Sequence, residues 1–254
     1  MVRAQKYRGE DGLEWFIEEP FCWDLLLEKE KFPVPIWDPC CGMGQSLMAF
    51  ERAGYARERL MGSDIVDRCR GNPLAWQHHV IHPQDFLATR PTGVDGAWAT
   101  VFDTIVMNPP YGGGELALRF IRHALKLARR KVAVIASARL LGSAERGGDW
   151  LTPELRPTSV YWYSNRPTMP PGDKWLAGEI GRVSGGEIEY VALVWEKDCG
   201  GNIIHPGGRT EFDWLHAPGH TLRRLGQPAG PLLAQMSESV GRADKPANQE
   251  ADNV

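Results

Sequence analysis

The strongest constraint on the fold is a pairing repeated along the chain: a short apolar run, a turn built on glycine or proline, then a segment with helical spacing. Residues 33–37 read as a buried strand that runs into Asp38-Pro39-Cys40-Cys41-Gly42-Met43-Gly44. Residues 46–54 then have helical spacing and stop at a glycine. Ahead of that unit, 21–27 read as a short helix. Residues 59–63 and 80–81 are weaker strands, ending beside Asp64 and shortly before Asp85. Residues 102–107 are apolar, β-branched and bounded by a turn, the mark of a fully buried strand. Asn108-Pro109-Pro110-Tyr111 follows at once, and its two prolines end strand pairing. Residues 115–128 form an amphipathic helix with Leu116, Phe120, Ala124 and Leu127 on one stripe, and 131–137 a fifth strand. Residues 159–164 and 189–196 complete the set. Such alternation predicts an α/β fold: a doubly wound, mostly parallel, seven-stranded sheet with a terminal antiparallel hairpin.

A chain of 254 residues suits one domain of this kind, expected over 1–225, with the polar, glycine- and proline-dotted segment 226–254 expected to be disordered. The formal net charge of -3 announces no global basic field, so positive charge for a polyanion must gather on one face. The five cysteines are odd in number, two are adjacent and none forms a CxxC pair. That usage fits a reducing compartment better than a disulfide framework or a zinc site. His78, His79 and His82 have no clear partner acids or cysteines nearby, so no metal is expected. The polar start and the absence of a membrane-length apolar run lead to a cytoplasmic expectation.

The candidate site residues sit at strand ends. Glycines in the 38–44 turn let a backbone approach a ligand closely, although Asp38 and Pro39 are foreign to a dinucleotide fingerprint. Asp64 lies twenty residues beyond Gly44, where a carboxylate can accept from both hydroxyls of a ribose; Asp67 competes for that role. Asp85 can accept from the amine of a bound adenine while Phe86 packs on its ring. Asn108-Pro109-Pro110-Tyr111 is the most specific signal, arising by chance in only about a few per thousand chains of this length.

That tetrapeptide suits methyl transfer to an amine conjugated with a ring. The lone pair of such a nitrogen is delocalised and poorly nucleophilic. The side-chain oxygen of Asn108 and the carbonyl of Pro109 can hold both amine hydrogens, which favours a tetrahedral nitrogen and stabilises its developing positive charge. With a sulfonium as leaving group, positioning supplies much of the rest. Tyr111 can stack on the target base, which must flip out of a duplex to arrive there.

Over roughly residues 14–140 the motifs resemble the amino-methyltransferase branch of the class I S-adenosylmethionine-dependent family, with its Rossmann-like fold. The resemblance implies S-adenosylmethionine as cofactor, a cofactor loop made of Asp38, Pro39, Cys40, Gly42 and Gly44, and Asp64, Asp85 and Phe86 at the ribose and adenine. Asn108, Pro109, Pro110 and Tyr111 take the place of the catalytic loop, and Trp15, Phe16 and Pro20 sit where the family closes over the methionine end. The order of motifs is that of DNA adenine methyltransferases, so the implied activity is N6-methylation of adenine in DNA. The short length suits a stand-alone modification enzyme of the phage or restriction-modification kind.

Two loops at the same sheet edge are candidates for contacting DNA. One, about 139–149, carries Arg139 and Arg146; the other, about 164–186, carries Arg166, Met169, Lys174, Trp175 and Arg182. Cations there can meet phosphate, and aromatic side chains can fill the gap left by a flipped base. RNA adenine, a protein glutamine amide, and a nucleic-acid-binding relative without activity are the alternatives. Cys40 and Cys41 read as small packing residues, since no activating base is in view.

Overall fold

A computed structural model describes residues 12–70, 72, 75–76, 78–90, 102–142, 147–177 and 188–217. The expected tail 226–254, together with Arg146 and Arg182 of the candidate loops, lies outside the described residues.

The strands are β1 (Ile36–Asp38), β2 (Leu60–Ser63), β3 (Val80–Ile81), β4 (Thr104–Met107), β5 (Lys131–Ser137), β6 (Ser159–Tyr163), β7 (Tyr190–Glu196) and β8 (Glu211–Leu215). They form one sheet in the order β3-β2-β1-β4-β5-β7-β6-β8. β1 pairs in parallel with both β2 and β4, β2 with β3, and β4 with β5. β7 runs antiparallel between β5 and β6, as the expected hairpin requires. The chain therefore starts in mid-sheet, winds outward to β3 and returns across β1 to β4. The crevice at the carboxyl ends of β1 and β4 is the switch point where open α/β sheets hold ligands.

The sheet has eight strands, not the seven expected. β8 joins the far edge in parallel with β6, Ser159 opposite Glu211 through Tyr163 opposite Leu215. In Glu211-Phe212-Asp213-Trp214-Leu215 polar and apolar residues alternate, yet Phe212 and Trp214 are exposed and only Leu215 is buried. The short helix α4 (Gly172–Leu176) was likewise not expected.

Helices cover both faces. α1 (Phe21–Lys29) and α2 (Gln45–Arg52) bury Trp23, Leu26, Leu47 and Phe50 on one side. α3 (Glu115–Leu127) buries Ala117, Leu118, Ile121, Ala124 and Leu125 against Trp37, Ile105 and Trp195 on the other. The α3 stripe is turned from the expected one: Leu116 and Phe120 are only half-buried and face the crevice. Lys197 closes the end of this helix, its ammonium donating to the carbonyls of Leu125 and Ala128 at 2.8 Å each. The basic run after α3 is tied into the fold. Arg129 pairs with Asp103 at 2.6 Å and the buried Lys131 with Glu30 at 2.8 Å. No helix among the described residues is long and apolar enough to cross a membrane.

Candidate active site

β1 ends at Asp38, which is 2 % exposed. Its carboxylate accepts from the Cys40 N–H at 3.1 Å and from the Ser46 hydroxyl, folding the turn onto the start of α2. Burial pushes the Asp38 carboxyl up to about 8, against the pull of the Ser46 bond. Asp38 therefore shapes the turn from behind and is absent from the wall of the crevice. Gly44 is likewise absent from that wall. Its φ is +83°, and a Cβ there would lie 2.3 Å from the Cβ of Trp76, so glycine is required by packing. Gly42 does face the crevice, but its nearest neighbour is Trp15, whose Nε1 would stand 2.7 Å from an added Cβ.

At the end of β2, Asp64 binds the turn across the crevice. Its carboxylate accepts from the N–H groups of Gly42 at 2.9 Å and Val66 at 3.0 Å. Burial raises its pKa, and those two bonds with the charges of Arg68 and His82 pull it back. Asp67 is turned away to Arg70, with its carboxylate accepting from the Arg70 N–H at 2.9 Å, and contributes nothing to the wall. After β3, exposed Asp85 caps a single 3-10 turn by accepting from the Leu87 N–H at 2.9 Å. Phe86 is 1 % exposed and packs edge-on against Trp37 at 5.3 Å, so its ring is core with one side on the crevice.

β4 delivers Asn108, Pro109, Pro110 and Tyr111 to the same crevice. The Tyr111 hydroxyl donates to Asn108 Oδ1 at 2.8 Å, and its ring leans on Phe16 with centroids 6.2 Å apart. The segment 14–19 straps this loop down. One Glu14 oxygen accepts from the N–H groups of both Tyr111 and Gly112 at 2.8 Å. Glu18, 6 % exposed, accepts from Trp23 Nε1 at 3.1 Å and from Asn108 Nδ2 at 3.3 Å. Burial raises the Glu18 carboxyl and these bonds lower it. Glu19 accepts from the Thr168 N–H at 2.6 Å, and Ile17 donates to the Pro170 carbonyl at 3.0 Å, so the strap also grips the loop after β6.

Together these elements enclose a cavity of about 380 Å³. Glu14, Glu18, Asp64 and Asp85 line it, and Arg68 is the one Lys or Arg among the described lining residues. Arg68 lies over the Trp15 ring at 4.3 Å. The wall is thus rich in carboxylate and suits a ligand carrying positive charge. Gln45 also lines the cavity, and its buried Nε2 has no hydrogen-bond partner among the described residues. A buried amide donor without an acceptor is uncommon in a folded protein. Burial drives the Cys40 thiol well above its ordinary range, and the bond with Cys69 and then burial do the same for Cys41, so neither is a ready thiolate.

Glu14, Glu18 and Gln45 escaped sequence reading. A glutamate in a loop reads as solvated, because burial of such a residue depends on partners distant in sequence. The spacing of Glu14 to Tyr111, 97 residues, shows how remote those partners are.

The DNA-contact candidates divide. Arg139 and Lys174 are exposed and lie outside the cavity wall. Arg166 pairs with Glu189 at 2.9 Å. Trp175 is 8 % exposed and packs with Ile17, Met43, Cys69 and Ala75, so its ring is committed to the core and its assignment to substrate is corrected. Met169 reaches the active loop instead, its sulfur 3.8 Å from Asn108 Nδ2.

Fold and site together define a doubly wound α/β protein with a ligand cavity at its switch point. No protein-family model matches the chain, and no curated protein does. Solved structures do. A candidate class I S-adenosylmethionine-dependent methyltransferase from Listeria monocytogenes is similar at 16% identity and TM-score 0.48, over 85% of this chain and 68% of that one. The modification subunit of a candidate type I restriction enzyme from Vibrio vulnificus is similar at 13% identity and TM-score 0.47, over 93% of this chain and 55% of that one. The type I restriction-modification methyltransferase subunit of Streptococcus thermophilus is similar at 14% identity and TM-score 0.48, over 73% and 46%. The chain thus spans about half the length of these two restriction-modification subunits. At TM-scores of 0.47–0.48 and identities of 13–16% these likenesses carry no activity or substrate across.

Proposed function

We propose that the chain is an S-adenosylmethionine-dependent methyltransferase acting on the N6 amine of adenine in DNA. The observation that carries this reading is the meeting of Asn108 and Pro109 with Gly42, Asp64 and Gln45 around one carboxylate-lined cavity. S-adenosylmethionine supplies a methyl group on a sulfonium, whose sulfur keeps the bonding pair as the methyl leaves. The lining fits such a donor: the carboxylates favour its positive charge, and Asp64 accepts from ribose hydroxyls. Asp85, exposed on the wall, accepts from the adenine amine of the donor.

On the acceptor side, Asn108 Oδ1 and the Pro109 carbonyl take the two hydrogens of the target amine. That grip pyramidalises the nitrogen and turns its lone pair toward the methyl group. A nitrogen–carbon bond forms, and the nitrogen then releases a proton to water, so no strong base is needed. Tyr111 now occupies Asn108 Oδ1 with its hydroxyl. An arriving amine shares that oxygen or displaces the tyrosine, and the Phe16–Tyr111 wall offers a flat base a stacking surface. Reaching this position from a duplex requires base flipping. Exposed Arg139 and Lys174 supply phosphate contacts beside the cavity.

A second reading, transfer to a glutamine amide in a protein, poses the same electronic problem, and the acidic cavity wall speaks for it because it repels phosphate. Incubation with methyl-tritiated donor and, in parallel, duplex DNA, RNA and a glutamine peptide separates the two. We expect label in DNA that digests to N6-methyladenine. Label in the peptide alone selects the second reading, and label in none of the three ends both.

A further inference from the structure

Asn108 can serve as an acceptor only if its amide is the right way round. The two ends of an asparagine side chain are nearly equal in shape, and a half-turn exchanges an acceptor for a donor. In this structure the two ends meet opposite partners. Nδ2 donates to Glu18 at 3.3 Å, while Oδ1 accepts from the Tyr111 hydroxyl at 2.8 Å. Both Glu18 oxygens accept, one from Trp23 and one from Asn108, so a flipped amide would set two acceptors face to face beneath the cavity. Glu18 is itself anchored: it is 6 % exposed, and Trp23, fully buried on α1, donates to its other oxygen at 3.1 Å.

We propose that Glu18 is a positioning residue that fixes the Asn108 amide with its carbonyl oxygen toward the acceptor substrate. The geometric part stands on the hydrogen bonds alone; the kinetic consequence rests on the methyltransferase reading above. A carboxylate on the amide nitrogen also draws the hydrogen bond's polarisation toward Oδ1, making that oxygen a better acceptor for an amine hydrogen. Glu14 acts on the same loop from the other side, pinning the backbone at Tyr111 and Gly112, so the strap holds both the frame and the functional group.

The test is Glu18→Gln, which keeps volume and shape and puts a donor where the site needs a second acceptor. Expected is a fall in kcat of about 100-fold, comparable to loss of one transition-state hydrogen bond, with KM for S-adenosylmethionine changed by less than about 2-fold. A merely structural role would move the thermal midpoint and both constants together. An unchanged kcat, or a change confined to KM of the donor, overturns the proposal.

A readout that needs no turnover accompanies it. With asparagine labelled in nitrogen-15, the Asn108 side-chain NH2 should show one proton protected from solvent exchange in the wild type, and Glu18→Gln should lose that protection by about tenfold or more. Free exchange in the wild type overturns the proposal even if the variant does not fold. If the protection behaves as expected while the wild type methylates none of the three substrates, the methyltransferase reading falls and the positioning of Asn108 stands.

Discussion

The two halves of the sheet are built on different plans. From β1 to β4 the strands are two to four residues long, and every described residue lining the cavity lies between 12 and 120. From β5 to β8 the strands have five to seven residues, and β5 and β7 pair at all positions from Lys131 opposite Glu196 to Ser137 opposite Tyr190. Short strands stop early and hand their last carbonyls to turns that carry chemistry: Asp38, Asp64, Asp85 and Asn108 all stand at or just beyond such ends. Long paired strands bury their residues and brace the others. The loop after β6 reaches across to hold the strap through Thr168 and Pro170 and to touch Asn108 through Met169. One half is shaped for ligand and the other for stability, and substitutions should separate the two.

The largest effect is expected in the ligand half. Asn108→Ala should lower turnover by about 1,000-fold, the scale of a lost transition-state contact in a dry site. Calorimetry should find the donor affinity within about 2-fold of wild type; near-normal turnover would remove the mechanism. In the bracing half, Trp195 is fully buried and its indole donates to the Leu155 carbonyl at 2.8 Å. Trp195→Ala should cost about 3–5 kcal/mol in urea unfolding while the folded fraction binds donor normally. Weak donor binding by fully folded variant would blur the division.

Next in size, Asp64→Ala should weaken donor binding by about 10- to 100-fold, as expected for loss of charge-assisted bonds, with less effect on the chemical step. Unchanged affinity would move the ribose role elsewhere. The smallest effect is a pH dependence. Burial holds Asp38 at about 8, above its ordinary 3.8, so the folded state keeps this proton more tightly. Its contribution to stability is full below about pH 4 and is lost as pH rises through about 8. Asp38→Asn, uncharged throughout, should gain on wild type by about 1 kcal/mol between pH 6 and pH 7. Parallel melting curves for the two proteins across that window would contradict a protonated Asp38.

What the sequence revealed follows the same division. β5 is legible to its end residues, because a short run rich in valine and isoleucine between turns favours a buried strand. The motifs at strand ends are legible because proline and glycine restrict the backbone locally. Local patterning could not separate residues that face the ligand from residues that face the back of the turn. Asp38 and Gly44 belong to the same turn as Gly42, yet point at Ser46 and Trp76. Trp175 lies in a loop rich in surface residues, yet its ring joins the core. Glu18 reads as a surface acid until Trp23 and Asn108 close on it. Each of these depends on contacts between elements, which periodicity does not encode.

The proposed function requires one cavity to bring a sulfonium-borne methyl group to an amine held by the oxygen of Asn108. A crystal structure of the chain with sinefungin, which carries an amine in place of the methyl, tests it most directly. The ribose should lie on Asp64 and the amine-bearing carbon should face Asn108 Oδ1, with space between them for a planar base. Sinefungin bound elsewhere, or bound with Asn108 pointing away from that amine, would contradict it.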